Sequence, residues 1–309
     1  VNSGIENSSH REVISDNYVE WWYFDINDGE GRSINGVLHE TDIFGEKRVP
    51  YMSLGFRQGE NSHRMKLMLG RQDITVAGRF LNTTNNMINE DEFGVNMNVN
   101  FSDTEEFHGR IDKLSKPFVI DQGILGQQDC KTSNWVVQIP HGIFHGELQM
   151  GSDIHHVEGF AYQDHQWGDL PIQNFVRDWV WGHFSNRNMS VIFFDILTQD
   201  NSLIQRVGII RENHIEKAQS LKTDYLDHLI LTDRPDLLTL KTDVNFFDGH
   251  GSLSLGISSS RLMRRRIAEN HGEFNASYLR WASQAMLTID GQSASMNGIT
   301  EYMSIENEQ

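Results

Sequence analysis

The chain repeats itself. Phe144-His-Gly-Glu-Leu-Gln-Met, a turn and Val157-Glu-Gly-Phe-Ala-Tyr align without a gap on Ser283-Gln-Ala-Met-Leu-Thr-Ile, the turn Asp290-Gly291 and Met296-Asn-Gly-Ile-Thr-Glu, with Leu148 on Leu287 and Gly159 on Gly298. Asp-Gly between two strand-like segments is a strong signal for a two-residue hairpin, so both copies read as hairpins. The opening ends also match: Glu20-Trp-Trp-Tyr-Phe-Asp-Ile in one half and Asp178-Trp-Val-Trp-Gly-His-Phe in the other. In each, an acid precedes a Trp-rich strand. A second strand follows at similar distance, Gly36-Val-Leu-His-Glu-Thr or Met189-Ser-Val-Ile-Phe-Phe-Asp. Two copies of one β unit, each closing on a hairpin, predict two antiparallel barrels or sandwiches. The expected domains are 17–168 and 178–303, with the boundary near Asp169–Arg177.

Short aromatic and β-branched segments bounded by Gly, Asn and Asp support an all-β chain. They are Glu20–Asp25, Ile34–Thr41, Val95–Phe101, Asn134–Ile139, Trp179–Phe184, Met189–Leu197 and Leu237–Phe247. Helical periodicity is confined to Ser259–Asn270 and a short stretch near Ser220–Leu231. The first holds the one basic cluster, Arg261, Arg264, Arg265 and Arg266, which reads as a solvated helical turn.

Composition narrows the partners. With 38% hydrophobic and 22% charged residues, the 309-residue chain can bury a core. A formal charge of -17 repels nucleic acid and anionic membranes. No apolar run approaches the roughly 18 residues of a membrane span. Cys130 is the only cysteine, so no intrachain disulfide can form. The N-terminal residues are polar and lack the layout of a secretion signal. Together these give an expectation of a cytoplasmic protein, with a leader removed before Val1 left open.

Chemistry concentrates between the repeats. In Gly159-Phe-Ala-Tyr-Gln-Asp-His-Gln-Trp-Gly168, strand alternation puts Gln163, His165 and Trp167 on one face and Tyr162, Asp164 and Gln166 on the other. His165 titrates near neutrality when unperturbed, and Trp167 can wall an apolar or cationic group. Trp179, Trp181 and His183 share a face of the next strand, and Val191, Phe193 and Asp195 share a face of the one after. A carboxylate buried in so apolar a strand has its pKa raised and becomes a candidate proton donor. Glu20, Trp21, Trp22 and Tyr23 form the densest aromatic cluster, with Trp21 and Tyr23 on one face and Trp22 and Phe24 on the other. Aromatic walls of this kind suit a polyene or fused-ring ligand. His39 interrupts a further apolar strand beside Glu40. No metal site is expected: His141, His145, His155 and His156 cluster near the first hairpin, but neither H-E-x-x-H nor a Cys cluster is present. Phosphate-binding glycine loops and G-x-S-x-G are likewise missing.

Through Glu20-Trp-Trp-Tyr-Phe, Asp164-His-Gln-Trp-Gly168 and Trp179-Val-Trp-Gly182 followed by Phe193-Phe-Asp195, the chain resembles the lipocalin-like family of carotenoid hydratases and decalin-forming Diels–Alderases. The resemblance runs from about Tyr18 to Met303. It implies two calycin-like β domains around a cavity for a long, unsaturated, hydrophobic substrate. It also implies catalysis without a cofactor by Asp195 and His165. With the aromatic and polar residues picked out on the strand faces above, the candidate substrate-binding residues are Trp167, Trp179, Trp181, His183, Phe193, Glu20, Trp21, Tyr23 and His39. His165, Trp167 and Asp195 match positions implicated in the hydratases, but a Tyr position falls on Phe193. That removes a hydroxyl able to relay a proton or hold a water, and so favours a cyclase or isomerase acting on a polyene or polyketide-derived substrate. Hydration of a C=C bond is the alternative, and a carrier of a hydrophobic ligand is a third reading. On this reading Asp195 and His165 point into one cavity near the domain junction, with Trp167 and Trp181 as walls.

Overall fold

A computed structural model of the chain describes residues 18–28, 31–41, 50–74, 79–119, 123–211, 214–218, 238–246, 249–271 and 274–307. Contacts divide the chain into two compact units, Val1–Ile172 and Gln173–Gln309. Both are built from antiparallel strands, and no α-helix occurs among the described residues.

The first unit contains β1 (Val19–Asn27), β2 (Arg32–His39), β3 (Tyr51–Gln58), β4 (Asn61–Met68), β5 (Arg79–Asn82), β6 (Met87–Glu90), β7 (Gly94–Ser102), β8 (Glu105–Lys113), β9 (Ile124–Gln128), β10 (Lys131–Met150) and β11 (Asp153–Gly168). The sheet order is β4-β3-β2-β1-β11-β10-β8-β7-β6-β5, with β9 also paired to β10. It curls enough for His63 on β4 to meet Glu105 on β8 at 2.6 Å.

The second unit contains β12 (Val176–Ser185), β13 (Met189–Thr198), β14 (Leu203–Arg211), β15 (His214–Ala218), β16 (Leu238–Phe246), β17 (Gly249–Asn270), β18 (Phe274–Ile289) and β19 (Gln292–Asn307). Its order is β15-β14-β13-β12-β19-β18-β17-β16. In each unit the first strand pairs with the last, β1 with β11 and β12 with β19.

The expected strands fall on β1, β2, β7, β10, β12, β13 and β16. The two hairpins, β10–β11 and β18–β19, share one register: Leu148 faces His155 as Leu287 faces Ala294, and Gly159 faces Phe144 as Gly298 faces Ser283. Asp290 and Gly291 both take positive φ, as a two-residue turn between twisted strands requires. The opening strands are less literal copies. Asn27 faces Phe160 and His183 faces the corresponding Ile299, so Asp178 occupies the place of Trp22, two residues from the match with Glu20 that the motifs suggest. The slip is even, so every side chain keeps its face.

Ser259–Asn270 is not a helix but the second half of β17, paired with β18. Register shifts fall at Ser259/Arg261, Leu262/Arg264 and Arg266/Glu269. Each bulge resets the two-residue alternation, and three in close succession produce apolar spacing that imitates a helix. The Arg cluster therefore lies on a strand: Arg264 sits over the ring of Tyr278, and Arg266 pairs with Glu269 at 3.0 Å. The stretch near Ser220–Leu231 lies outside the described residues.

Each unit buries its own apolar core. In the first it includes Trp22, Phe24, Ile26, Ile34, Leu38 and Phe107. In the second it includes Val180, Phe184, Val191, Phe193, Leu279 and Trp281. Phe24 lies over Gly36, where a Cβ would sit 2.1 Å from the ring; Phe193 lies over Gly182, where the distance would be 2.3 Å. The glycine ending the Trp-Val-Trp-Gly motif is thus required by an aromatic ring on the neighbouring strand.

Candidate functional site

Directly paired residues of an antiparallel sheet share a face, and the registers separate the candidate residues accordingly. Trp22 faces His165 across β1 and β11, so Tyr18, Glu20, Trp22, His165 and Trp167 lie on the inner, core-facing side of the first unit. Trp21 faces both Gln166 and His39, and Tyr23 faces Asp164, so Trp21, Tyr23 and His39 lie on the second face of the same strands.

The inner face carries a polar chain. Tyr18 donates from its hydroxyl to Glu20 Oε2 at 2.7 Å, and His165 Nε2 lies 2.7 Å from Glu20 Oε1. Glu20 and His165 are both fully buried. The imidazole is held between two indoles, Trp22 at 4.7 Å and 12° and Trp167 at 4.7 Å and 36°. A buried carboxylate is tolerated when it is paired and hydrogen-bonded, and Glu20 is both.

The second face is built in rows. The first is His39-Trp21-Gln166-Trp135, running across β2, β1, β11 and β10. The next contains Tyr23 and Asp164, and the one after contains Asp25 and Tyr162. All of these side chains are buried. Asp164 Oδ2 accepts from the Tyr162 hydroxyl at 2.7 Å and from Trp135 Nε1 at 3.2 Å. Burial, and after it the charge of Asp164, pushes the Tyr162 phenol well above its usual range. His39 Nδ1 lies 3.1 Å from the Thr41 carbonyl, and its ring packs against Tyr51 at 4.6 Å. Gln166 Nε2 is buried and has no hydrogen-bond partner among the described residues.

In the second unit, Asp195 faces Val180, and Trp181 faces Phe194. Asp195, fully buried, therefore lies on the core side with Phe193, while Trp179, Trp181 and His183 lie on the opposite side of the sheet. The expected grouping of Asp195 with Trp181 around one cavity is thus corrected: the strand backbone separates them. His165 and Asp195 belong to different units. His183 Nε2 is within 3.0 Å of Ser190 Oγ and 2.9 Å of Ser185 Oγ. On the core side, Tyr302 donates to Asp178 at 2.9 Å, and burial, then Asp178, raises its pKa.

Tyr18 and Trp135 were not among the residues expected at a site. Alternation counted from Glu20 picks out Tyr18, because i±2 residues share a face. Trp135 emerges only from the pairing of β10 with β11. Among the described residues no group of three or more His, Cys, Asp or Glu side chains is placed to hold a metal ion. Of the hairpin histidines, His156 pairs with Glu147 at 2.7 Å and His145 with Glu158 at 3.7 Å. No helix among the described residues is long and apolar enough to cross a membrane.

No protein-family model matches the chain. A stretch of 61 residues is 28% identical to the quinolone epoxide rearrangement protein asqO of Emericella nidulans, covering 20% of this chain and 17% of that protein. Solved structures match far more of it. CghA superimposes with a TM-score of 0.72 at 11% identity, over 96% of this chain and 90% of its own. CghA with Sch210972 gives 0.65 at 10% identity, over 95% and 89%. Kievitone hydratase from Nectria haematococca gives 0.58 at 13% identity, over 94% and 89%. At such identities the likeness is one of fold: the chain is lipocalin-like, with two antiparallel β units.

Proposed function

We propose that the protein is an enzyme that cyclises or isomerises a hydrophobic, unsaturated small molecule without a cofactor, binding it on the second face of β1 and β11. The observation that carries this reading is the row Trp21-Gln166-Trp135. It combines flat apolar walls with an amide donor whose hydrogen-bonding capacity the described residues leave unused. Most small-molecule sites share that make-up, mainly apolar with a few polar groups fixing orientation. A flexible polyene pressed between aromatic walls loses the freedom that slows ring closure, and orientation alone supplies about 7–11 kcal/mol of a barrier in favourable cases. The lipocalin-like fold shared with CghA, solved with Sch210972, and the short match to a quinolone epoxide rearrangement protein support the reading.

Hydration is favoured by a separate observation, the Tyr18–Glu20–His165 chain, because a buried carboxylate–imidazole pair can hold and pass a proton to an alkene. Phe193 weighs against it by offering no hydroxyl. Incubation with linear polyenes bearing an activated terminal alkene, followed by mass spectrometry, separates the readings. The expected product keeps the substrate mass and gains a ring. Gain of one water makes the protein a hydratase, and bound but unchanged substrate makes it a carrier. Asp195→Asn keeps the side-chain shape and removes a transferable proton. A conformational cyclase retains most of its rate in this variant, whereas a mechanism using Asp195 as proton donor loses it.

A further inference from the structure

We infer that the Gln166 carboxamide selects the substrate by donating a hydrogen bond from Nε2 to a neutral carbonyl oxygen on a flat, conjugated ligand. The inference rests on the reading above for the face on which the ligand lies, and adds the group that is recognised there.

Gln166 is 4% exposed, and its Nε2 has no partner among the described residues. Folded proteins leave few buried donors in this state, and such a donor is met by whatever acceptor can reach it. Two features of the surroundings define that acceptor. The first is shape. Trp21 and Trp135 flank Gln166 on the adjoining strands, so a molecule touching Nε2 lies against indole rings, where a planar π system packs and a hydrated ion does not. The second is charge. Asp164 and Asp25 occupy the next two rows of the same face, and Asp164 already accepts from Tyr162 and Trp135. Both acids and Gln166 are buried, so a ligand carboxylate or phosphate would meet like charge at low dielectric. A ketone, aldehyde, ester or amide oxygen meets the donor without that repulsion. The recognised chemistry is therefore a conjugated carbonyl compound rather than a hydrocarbon polyene or a free acid.

A matched pair of probes tests this. 2-Acetylnaphthalene and 2-isopropenylnaphthalene have the same shape and differ in C=O against C=CH2. Both are titrated by calorimetry into the wild-type chain and into Gln166→Met and Gln166→Glu, each first checked for the wild-type circular-dichroism spectrum. The ketone-to-hydrocarbon affinity ratio is expected to fall about tenfold in Gln166→Met, the size of one lost neutral hydrogen bond, and to fall less in Gln166→Glu, whose buried carboxyl stays neutral and can still donate. Hydrocarbon affinity in Gln166→Met stays within about twofold. An unchanged ratio in Gln166→Met overturns the inference and leaves the enzyme reading standing. So does a wild-type chain that binds the hydrocarbon as well as the ketone, in which case the amide meets only water. If neither probe binds, the inference and the assignment of the face fall together. A changed ratio in a protein that converts no polyene keeps the inference and removes the enzyme.

Discussion

β1 and β11 carry two buried faces that solve the same problem differently. Inside, Trp22, Phe24, Ile26 and Ala161 merge into an apolar core, and the polar groups are gathered at one end, where Glu20 takes hydrogen bonds at both of its oxygens. Outside, polar and aromatic residues share every row, and Gln166 Nε2 is buried with no hydrogen-bond partner among the described residues. Burial alone does not distinguish a core from a binding face, since both are shielded from water. The side chains on them do: the inner face is mostly apolar with one charged pair, whereas the second mixes amide, carboxylate and aromatic groups row by row.

Three substitutions probe this difference, in falling order of effect. Glu20→Ala removes the acceptor shared by Tyr18 and His165 and breaks a buried pair, a change that costs about 3–5 kcal/mol. Urea unfolding should register a loss of that size, and a loss below about 1 kcal/mol would mean that Glu20 does not hold Tyr18 and His165 in a stabilising pair. Tyr162→Phe on the second face leaves Asp164 with one donor fewer and should cost about 1–3 kcal/mol at neutral pH. Its pH dependence is the sharper readout. The Tyr162 pKa is raised on folding, so above pH 10.0, the ordinary phenol value, the unfolded chain releases a proton that the folded chain keeps. Wild-type stability therefore falls as pH rises through that region, and Tyr162→Phe should flatten the alkaline limb. An identical limb in both proteins would place the loss elsewhere, for example at Tyr302. Gln166→Met, the smallest effect, should carry the opposite sign: removing a donor that has no partner stabilises the ligand-free protein by up to about 1 kcal/mol. A destabilised ligand-free variant would show that the Gln166 amide makes a contact that stabilises the free protein.

Much of this arrangement was legible in the residues. The gapless match of Leu148 to Leu287 corresponds to a shared hairpin register, and alternation put His165 and Gln166 on opposite faces correctly. What alternation does not encode is where a strand bulges. Trp135 joins Gln166 along the hairpin that the turn predicts, but register shifts at Val137/Ile139 and Ile139/Gly142 decide which residue it faces. The resemblance groups Asp195 with Trp181, yet a one-residue difference in register puts a sheet between them. In β17 the local signal itself misled, because bulges disrupt the very periodicity from which strands are recognised.

The pairing of first strand with last has a consequence for biosynthesis. A ribosome releases β1 early, but its partner β11 is completed only with Gly168, so one edge of β1 stays open while most of the first unit is being made. β12 waits in the same way for β19. Open edges bearing Trp and Phe side chains are templates for wrong partners, and contacts so distant in sequence close slowly because the intervening chain must first be ordered. The nascent chain therefore passes through two separate intervals of aggregation risk, one per repeat, each ending when a long hairpin arm slots beside a strand made more than a hundred residues earlier.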